Sequence, residues 1–202
     1  TLDRSSAASD VYKRQVIETA MRQTQDWERQ DQPLPIAVNL SARNLRDESL
    51  LEKIRDWQTT LGTQASWLEL EITESAVMED AELALRVLHS LRESGISLYI
   101  DDFGTGYSSL SYLQKLPVEY IKIDQSFVRQ IDRDKDSALI VRSTIDLAHD
   151  LGHKTVAEGV ETQAQWDLLA SLGCDMAQGY LIARPMPAED FLGWLAEFRA
   201  KG

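Results

Sequence analysis

The 202-residue sequence predicts an α/β domain built on a parallel β-sheet, and two observations predict it. Short apolar runs alternate along the chain with longer runs in which apolar residues recur at helical spacing, and this order is typical of βα repeats. Several of the short runs are apolar almost throughout, as expected of strands that are buried on both faces of a parallel sheet.

The predicted elements follow one another in a regular order from residue 16 onward. The predicted strands are 36–40, 67–73, 97–101, 120–123, 155–157 and 176–181. The predicted helices are 16–29, 50–61, 80–93, 107–116, 137–151, 162–172 and 188–201. A glycine or proline follows most of these helices and marks where each one ends, at Gly62, Gly95, Pro117, Gly152 and Gly173.

Polar side chains stand at or next to the C-terminal end of every predicted strand. They are Asn39, Glu71, Asp101 with Asp102, Lys122, Glu158 and Gln178. A barrel brings all strand ends to one face, where active sites form, whereas an open doubly wound sheet gathers only those near its switch point. We therefore favour a (β/α)8 TIM-type barrel over the open sheet. Residues 16–202 supply about six of the eight strands that a barrel needs, so the predicted barrel is incomplete.

The first fifteen residues lack apolar periodicity. Residues 5–15 match the translation of a transposon-based sequencing adaptor, so we expect residues 1–15 to be a non-native, adaptor-derived segment. A natural Ser-rich linker is the alternative. We also expect native sequence to start near Val16, and residues 16–202 to form one domain that lacks its N-terminal strands.

Composition and charge argue against several classes of protein. Lys and Arg total 21 against 33 Asp and Glu, and the net charge of −12 argues against binding to duplex nucleic acid. A single cysteine, Cys174, excludes an intrachain disulfide bond and fits a reducing, cytoplasmic setting. No apolar run is long enough to span a bilayer, so we expect no membrane contact by this domain.

The carboxylates at the strand ends predict a metal site. Glu71, Asp101, Asp102 and Glu158 would lie close together in a barrel, where like charges need protons or metal ions to neutralise them. Carboxylates with one amide oxygen, from Asn39, suit hard cations such as Mg²⁺ or Mn²⁺. Two such ions are a recurring solution for hydrolysing phosphate esters, and a solvated acidic rim is the alternative.

The segment 101–109, Asp-Asp-Phe-Gly-Thr-Gly-Tyr-Ser-Ser, leads from a predicted strand into a predicted helix. Its glycines allow positive φ or a close backbone approach, so N–H groups of this turn could meet an anion. The segment matches neither the dinucleotide-binding nor the Walker pattern, and a tight βα turn is the alternative.

Six short motifs carry a resemblance to a known family. They are Val38-Asn39-Leu40-Ser41, Glu71-Ile72-Thr73-Glu74, Asp101-Asp102-Phe103-Gly104-Thr105-Gly106, Lys122-Ile123-Asp124, Glu158-Gly159-Val160-Glu161-Thr162 and Gln178-Gly179-Tyr180. The chain resembles the EAL family of cyclic di-GMP phosphodiesterases, with these motifs in the family's order across nearly all of residues 16–202. The resemblance implies a modified (β/α)8 barrel with one reversed strand, which we expect in the part that this chain lacks.

The resemblance also implies a reaction and the residues that perform it. The implied activity is hydrolysis of cyclic di-GMP to linear 5′-pGpG with Mg²⁺ or Mn²⁺, and Ca²⁺ is expected to inhibit. The implied metal ligands are Asn39, Glu71, Asp101, Asp102 and Glu158. Lys122 would hold the catalytic water, and Glu158 would also transfer a proton. The implied substrate contacts are Asp124, Gln178 and Arg184.

Other residues are implied to support the site. Glu74 would anchor the loop of residues 102–109, with Gly104, Thr105 and Gly106, through which the family couples the contact of a homodimer to activity. Glu161 matches a further functional position near the site. The domain is expected in the cytoplasm, although an intact parent protein could be membrane-anchored.

One departure from the family concerns the motif that names it. No Glu-Ala-Leu triplet occurs in the 202 residues, and the family uses the glutamate of that triplet as a metal ligand. We expect the chain as written to fold poorly and to be nearly inactive, although a parent protein would carry every ligand. The alternatives are a non-catalytic receptor for cyclic di-GMP and a protein-interaction module that binds no nucleotide.

Overall fold

The computed structural model describes residues 2–47, 49–104 and 110–201, and the side chains of residues 13–47, 49–104 and 111–200. The strands are β1 (Ile36–Leu40), β2 (Leu68–Thr73), β3 (Ser97–Phe103), β4 (Tyr120–Ile123), β5 (Lys154–Glu158) and β6 (Met176–Gln178). The helices are α1 (Leu2–Glu28), α2 (Ala42–Leu45), α3 (Leu50–Leu61), α4 (Glu74–Glu79), α5 (Ala81–Glu93), α6 (Leu110–Leu113), α7 (Gln125–Val128), α8 (Lys135–Asp150), α9 (Gln163–Ser171) and α10 (Ala188–Lys201).

All six predicted strands form, and they build one parallel sheet in the order β1-β2-β3-β4-β5-β6. Each strand therefore pairs with the strands that flank it in the sequence, as βα repeats require. The sheet curls into a half-barrel, which confirms the prediction of an incomplete TIM-type barrel. The C-terminal ends of the strands consequently meet at one end of the curled sheet.

The two sides of the sheet differ in chemistry, as the alternation along β2 illustrates. Leu68, Leu70 and Ile72 are buried against the helices, whereas Glu69, Glu71 and Thr73 alternate with them and are only partly buried. We call these two surfaces the helix-facing side and the inner side. Because residues paired in register share a side, the pairing of Glu71 with Tyr99 and of Tyr99 with Tyr120 extends the inner side across β3 and β4.

The helix-facing side carries two apolar clusters. The larger one packs α1, α3 and α5 against the first four strands, with Ile54, Leu88 and Ile100 almost wholly buried. The smaller one packs α8 and α9 against the later strands around Val141 and Ala157. Burying such side chains is the main source of stability in a domain of this size.

On the inner side, an aromatic pair lies next to the charged strand-end residues. The rings of Tyr99 and Tyr120 stack with centroids 4.4 Å apart. The Tyr99 hydroxyl donates a hydrogen bond to Glu69 at 2.9 Å, and the ammonium group of Lys154 lies 5.8 Å from the centroid of the Tyr120 ring. Hydrogen bonding and cation–π attraction thus fix the two rings from either side.

The largest difference from the predicted elements is at the N-terminus. The first helix was predicted from residue 16, but α1 begins at Leu2. Neither Gly nor Pro interrupts residues 2–28, so no residue there stops a helix from extending toward the N-terminus. Arg14 pairs with Asp47 at 2.6 Å and so joins α1 to the segment that precedes α3. The adaptor origin of residues 1–15 stays a prediction.

Smaller differences have local causes. Strand β6 ends at Gln178 and not at 181, because the backbone turns at Gly179, whose carbonyl accepts a hydrogen bond from Ile182. The helix predicted at 107–116 is described only as α6, and the start of the predicted range lies outside the described residues. Helices α2, α4 and α7 were not predicted, because four to six residues are too few to show a helical period.

Among the described residues, none of the helices combines the length and apolarity that crossing a lipid bilayer requires.

Candidate active site

A β-bulge in β3 places two neighbouring aspartates opposite one lysine. Ile100 pairs with Ile121 and Phe103 pairs with Ile123, so β3 has two residues, Asp101 and Asp102, where β4 has only Lys122. Neighbouring residues of a regular strand point to opposite sides, whereas an extra residue at a bulge redirects a side chain. Asp102 adopts a positive φ of 55° here. Both carboxylates can therefore contribute to one site.

Lys122 lies at the centre of the acidic residues. Its ammonium group is 2.6 Å from Glu158, 2.8 Å from Glu71 and 3.1 Å from Asp101, measured to the nearest carboxylate oxygens. The residue is only 4% exposed, so these contacts form largely away from solvent. One cation thus connects carboxylates from three different strands, and a buried charge is tolerated only with such partners.

Burial and charge shift the ionisation of this group in identifiable directions. Burial alone would lower the pKa of Lys122, but hydrogen bonds to Glu158 and Glu71 outweigh it, so its pKa lies above the ordinary value. Burial raises the pKa of Glu158 above its ordinary value, although Lys122 opposes that shift. Lys122 therefore stays charged. Glu158 takes up a proton more readily than an ordinary glutamate does.

The donor set fits a hard divalent cation. Carboxylate oxygens of Asp101, Asp102 and Glu158 lie within 4.8 Å of one another, close enough to share one ion. Burial, and then the charges of Asp101 and Asp124, raise the pKa of Asp102, so its ionised form is disfavoured in the folded protein. Oxygen ligands and excess negative charge together suit Mg²⁺ or Mn²⁺.

The other two residues predicted as metal ligands lie next to this group. Glu71 is held by Lys122, as described above, and it pairs in register with Asn39 on the adjacent strand. Asn39 is exposed on the inner side of β1. The structure therefore brings three of the five predicted ligands into one cluster, connects the fourth through Lys122, and places the fifth beside the fourth.

Glu74 contacts the glycine-rich turn for which it was predicted to be an anchor. It is 4% exposed at the start of α4, and its carboxylate accepts a hydrogen bond from the backbone N–H of Gly104 at 3.2 Å. Gly104 has φ of +96°, and a Cβ there would lie 3.3 Å from the ring of Phe127. The positive φ favours glycine at this position, and a larger residue would also press against the Phe127 ring. Thr105, Gly106 and the rest of the segment through residue 109 lie outside the described residues.

Two of the predicted substrate contacts, Asp124 and Gln178, lie next to the carboxylates, and the third, Arg184, contacts Tyr180. Asp124 caps α7 by accepting a hydrogen bond from the N–H of Ser126 at 2.9 Å, and it shares a hydrogen bond with Asp102. Gln178 is exposed at the end of β6 and pairs in register with Glu158. The guanidinium group of Arg184 lies 4.7 Å from the centroid of the Tyr180 ring.

Sequence reasoning missed a cleft that opens directly beside Glu158. The cleft has a volume of about 240 Å³. It is lined by Gln125, Arg129, Glu158, Gly159, Glu161, Gln178, Gly179 and Tyr180. Glu161 was predicted as functional, and here it lies 3.5 Å from Arg129. Asp124 and Ser126 after a predicted strand are a helix-capping signal, and that signal could have placed Gln125 and Arg129 on a short helix at this cleft.

The chain matches known proteins over nearly all of its length. The family model described as "EAL domain" matches residues 1–185. The curated relative "Bifunctional diguanylate cyclase/cyclic di-GMP phosphodiesterase MucR" of Pseudomonas aeruginosa is 43% identical over 182 residues. The match covers 90% of this chain but 27% of that relative, so the chain spans about a quarter of its length.

Solved structures share the fold as well as the sequence. The structure titled "PaMucR Phosphodiesterase, c-di-GMP complex" aligns with a TM-score of 0.88 and 41% identity, over 94% of this chain and 77% of that one. A manganese and cy-diGMP complex of Klebsiella pneumoniae BlrP1 aligns with a TM-score of 0.78 and 32% identity, over 87% of this chain and 45% of that one. Given the family match and the shared half-barrel, the chain belongs to the EAL domain family.

Proposed function

We propose that this chain belongs to a cyclic di-GMP phosphodiesterase and forms most of its catalytic domain. The observation that carries the proposal is Lys122, which is buried among carboxylates of β2, β3 and β5 at the end of the curled sheet where barrel enzymes place their active sites. Relatives named as cyclic di-GMP phosphodiesterases and solved complexes with cyclic di-GMP support the choice of substrate.

In the proposed reaction, water attacks one phosphorus atom of cyclic di-GMP. The bond from that phosphorus to the 3′ oxygen breaks, the 3′ oxygen takes up a proton, and linear 5′-pGpG is released. Asp101, Asp102 and Glu158 would hold Mg²⁺ or Mn²⁺, with Glu71 and Asn39 beside them. Divalent ions held there would neutralise charge on the phosphate and lower the pKa of the attacking water.

The chain's own residues would orient the attack and move the proton. Lys122 has its ammonium group fixed at three carboxylates, so it can donate a hydrogen bond to the attacking water or to a phosphate oxygen without a large reorganisation. The raised pKa of Glu158 suits a group that takes a proton from water and passes it on. Asp124, Gln178 and Arg184 would contact the substrate.

Two further features belong to the proposal. The first is a location in the cytoplasm. The second is a homodimer formed through residues 102–109, which would connect to the active site through Glu74 and Gly104. Light scattering of the chain, compared with its Glu74→Gln variant, measures the contribution of that connection to dimerisation. A monomer at every concentration would contradict this part of the proposal.

The absence of a Glu-Ala-Leu triplet favours a second candidate, a receptor that binds cyclic di-GMP without hydrolysing it. One carboxylate ligand fewer should weaken the binding of metal ions and remove much of the catalysis. We therefore propose slow hydrolysis by this chain, and the two candidates differ in whether any pGpG forms.

The test compares the chain with two matched lysine variants. Lys122→Met removes the buried ammonium group, whereas Lys115→Met removes an exposed one. Chromatography of cyclic di-GMP incubated with Mn²⁺ should show slow release of pGpG by the chain and by Lys115→Met, with release by Lys122→Met lower by about 100-fold. Binding without any pGpG would favour the receptor, and no binding of cyclic di-GMP would contradict both candidates.

A further inference from the structure

The short helix α7 begins where β4 stops pairing with its two neighbours. The last pairs of β4 join Ile123 to Phe103 on β3 and to Ala157 on β5. Two carboxylates of the cluster, those of Asp102 and Glu158, stand directly next to these pairs, on strands that are not adjacent to each other. Helix α7 follows β4 and lies between them, so it can contact both strand ends.

On the β5 side, α7 is attached by a close contact and by hydrogen bonds. A Cβ on Gly159 would lie 2.7 Å from the Cβ of Gln125, so a larger residue there would push α7 away. The side-chain amide of Gln165, which is 3% exposed, donates a hydrogen bond to the carbonyl of Arg129 at 3.2 Å and accepts one from the N–H of Glu161 at 2.8 Å. These bonds join the end of α7 to the segment after β5. Helix α7 therefore keeps a fixed position relative to the end of β5.

On the β3 side, α7 supports the glycine-rich turn that follows Asp102. A Cβ on Gly104 would lie 3.3 Å from the ring of Phe127, so the ring lies directly against this turn. Glu74 holds the same residue from another element, because its carboxylate accepts a hydrogen bond from the Gly104 N–H at 3.2 Å. Phe127 also packs against the smaller apolar cluster, which limits the movement of its ring. The turn is therefore held between a carboxylate of α4 and an aromatic ring of α7.

The end of β3 needs such support because its conformation is costly. The carboxylates of Asp101, Asp102 and Glu158 lie within 4.8 Å of one another, and like charges at this distance repel. Asp102 also has a positive φ of 55°, which is uncommon for a residue other than glycine. Repulsion and backbone strain both favour a displacement of Asp102. The ring of Phe127 fills space into which the turn would otherwise move.

We propose that Phe127 is a positioning residue for the metal site, and that its ring holds the turn after β3 so that Asp102 stays within reach of the ion that Glu158 also binds. Phe127 acts through Gly104 and not by contact with the ion. The inference rests on the proposed function, because it concerns the divalent ion that the carboxylates would hold for hydrolysis. Substitution of residues that orient metal ligands from outside the ligand set typically lowers metal affinity by about 10- to 100-fold.

The experiment measures the binding of Mn²⁺ by electron paramagnetic resonance, in which the signal of the free ion weakens as the ion binds. The chain is compared with Phe127→Ala, which removes the ring, and with Phe127→Leu, which keeps an apolar side chain against the turn. Leu168→Ala is the matched control, because Leu168 packs against the same apolar cluster but lies on α9 and not on α7. Asp101→Asn identifies the site, since it removes one of the clustered carboxylates. Urea denaturation establishes that each variant is folded.

Phe127→Ala should bind Mn²⁺ about 10-fold more weakly than the chain, at the lower end of that range because every ligand remains. Phe127→Leu should bind it about threefold more weakly, because its side chain still fills part of the space beside Gly104. Leu168→Ala should change the affinity by less than about twofold, although it lowers the stability of the fold. The spectrum of bound Mn²⁺ should broaden in Phe127→Ala, since its ligands are held less uniformly.

Other results would separate this inference from the proposed function. If both Phe127 variants bind Mn²⁺ as tightly as the chain does, or if Leu168→Ala weakens binding as much as Phe127→Ala, Phe127 has no positioning role while the proposed function stands. If Phe127→Ala does not fold, Phe127→Leu decides, and an affinity equal to that of the chain contradicts the inference. If the chain binds no Mn²⁺ at a site that Asp101→Asn removes, the metal site of the proposed function fails and the inference fails with it.

Discussion

On its helix-facing side, β2 buries Leu68, Leu70 and Ile72, whereas its inner side carries Glu69 and Glu71. The two sets alternate residue by residue along one backbone. The apolar set contributes stability through burial, while burial makes the charged set costly unless it is paired. Because the side chains of a strand alternate between its two sides, residues of one set can be substituted without displacing those of the other. The six residues of β2 can therefore serve both the packed core and the reactive site.

On the inner side, the carboxylates of the reactive site lower the stability of the fold. Burial raises the pKa of Glu69 even though it accepts a hydrogen bond from Tyr99, and burial with neighbouring charges raises the pKa of Asp102. Carboxylates whose ionised form is disfavoured in the folded state reduce its stability near neutral pH. Substitutions on the two sides should therefore change the free energy of unfolding by different amounts, and one of them should increase it.

The largest effect is expected on the helix-facing side. Leu70→Ala removes a fully buried side chain from the larger apolar cluster and should lower the free energy of unfolding by about 3 kcal/mol. Leu139→Ala is the matched control, because Leu139 is 62% exposed, and should change it by less than about 0.5 kcal/mol. Urea denaturation with unchanged m-values measures both. Equal losses in the two variants would show that the helix-facing side does not dominate stability.

An intermediate effect is expected at the centre of the inner side. Lys122→Met should lower the free energy of unfolding by about 2 kcal/mol, because Glu71, Asp101 and Glu158 then lose the cation that they share. The loss is smaller than for a wholly buried pair, since the carboxylates keep some contact with solvent. Mn²⁺ should raise the melting temperature of the variant more than that of the unchanged chain. A variant as stable as the unchanged chain in metal-free buffer would contradict this account of the cluster.

The smallest effect is expected to have the opposite sign. Burial, followed by the charges of Asp101 and Asp124, holds the pKa of Asp102 above its ordinary value, so its ionisation destabilises the folded state as the pH rises through that pKa. Asp102→Asn should therefore raise the free energy of unfolding at pH 7, by no more than about 0.5 kcal/mol because solvent screens this partly exposed group, and the gain should shrink toward pH 4. Asn also tolerates the positive φ at this position.

Urea denaturation at several pH values between 4 and 7 measures this gain. The same variant should bind Mn²⁺ more weakly, because it loses one of the three clustered carboxylates. A loss of stability at pH 7 would mean that the folded protein stabilises the charge of Asp102. The carboxylate of Asp102 would then not lower the stability of the fold.

Sequence patterns predicted the six strands and the polar residues at their ends because both depend on local order. Alternation along β2 and the Lys122-Ile123-Asp124 motif are visible without any knowledge of pairing. The bulge is different, because it is defined by a one-residue mismatch between β3 and β4 that neither strand shows alone. The proximity of Asp102 to Glu158 follows from that mismatch, so the sequence predicted that the carboxylates meet but not the bulge that turns Asp102 toward the others.

The cleft beside Glu158 was unpredictable for a related reason. Its walls depend on tertiary contacts of Gly159 with Gln125 and of Gly179 with Val160. In the sequence, a glycine at the end of a strand indicates a turn but does not show which segment will pack against it. Helix α7, which carries Gln125, is four residues long and shows no helical period. Its cap, Asp124, was instead interpreted as a substrate contact.

The strictly sequential order of the sheet has a consequence for synthesis of the chain. Each strand from β2 to β6 pairs with the strand made just before it, so each new βα unit can dock soon after it leaves the ribosome. Among the described strands, these pairings join neighbours in the sequence, which favours rapid folding for a parallel architecture. Until the next strand emerges, the growing sheet exposes the backbone of its newest edge. That moving edge is where a nascent chain of this kind is most prone to aggregate and where a chaperone would protect it.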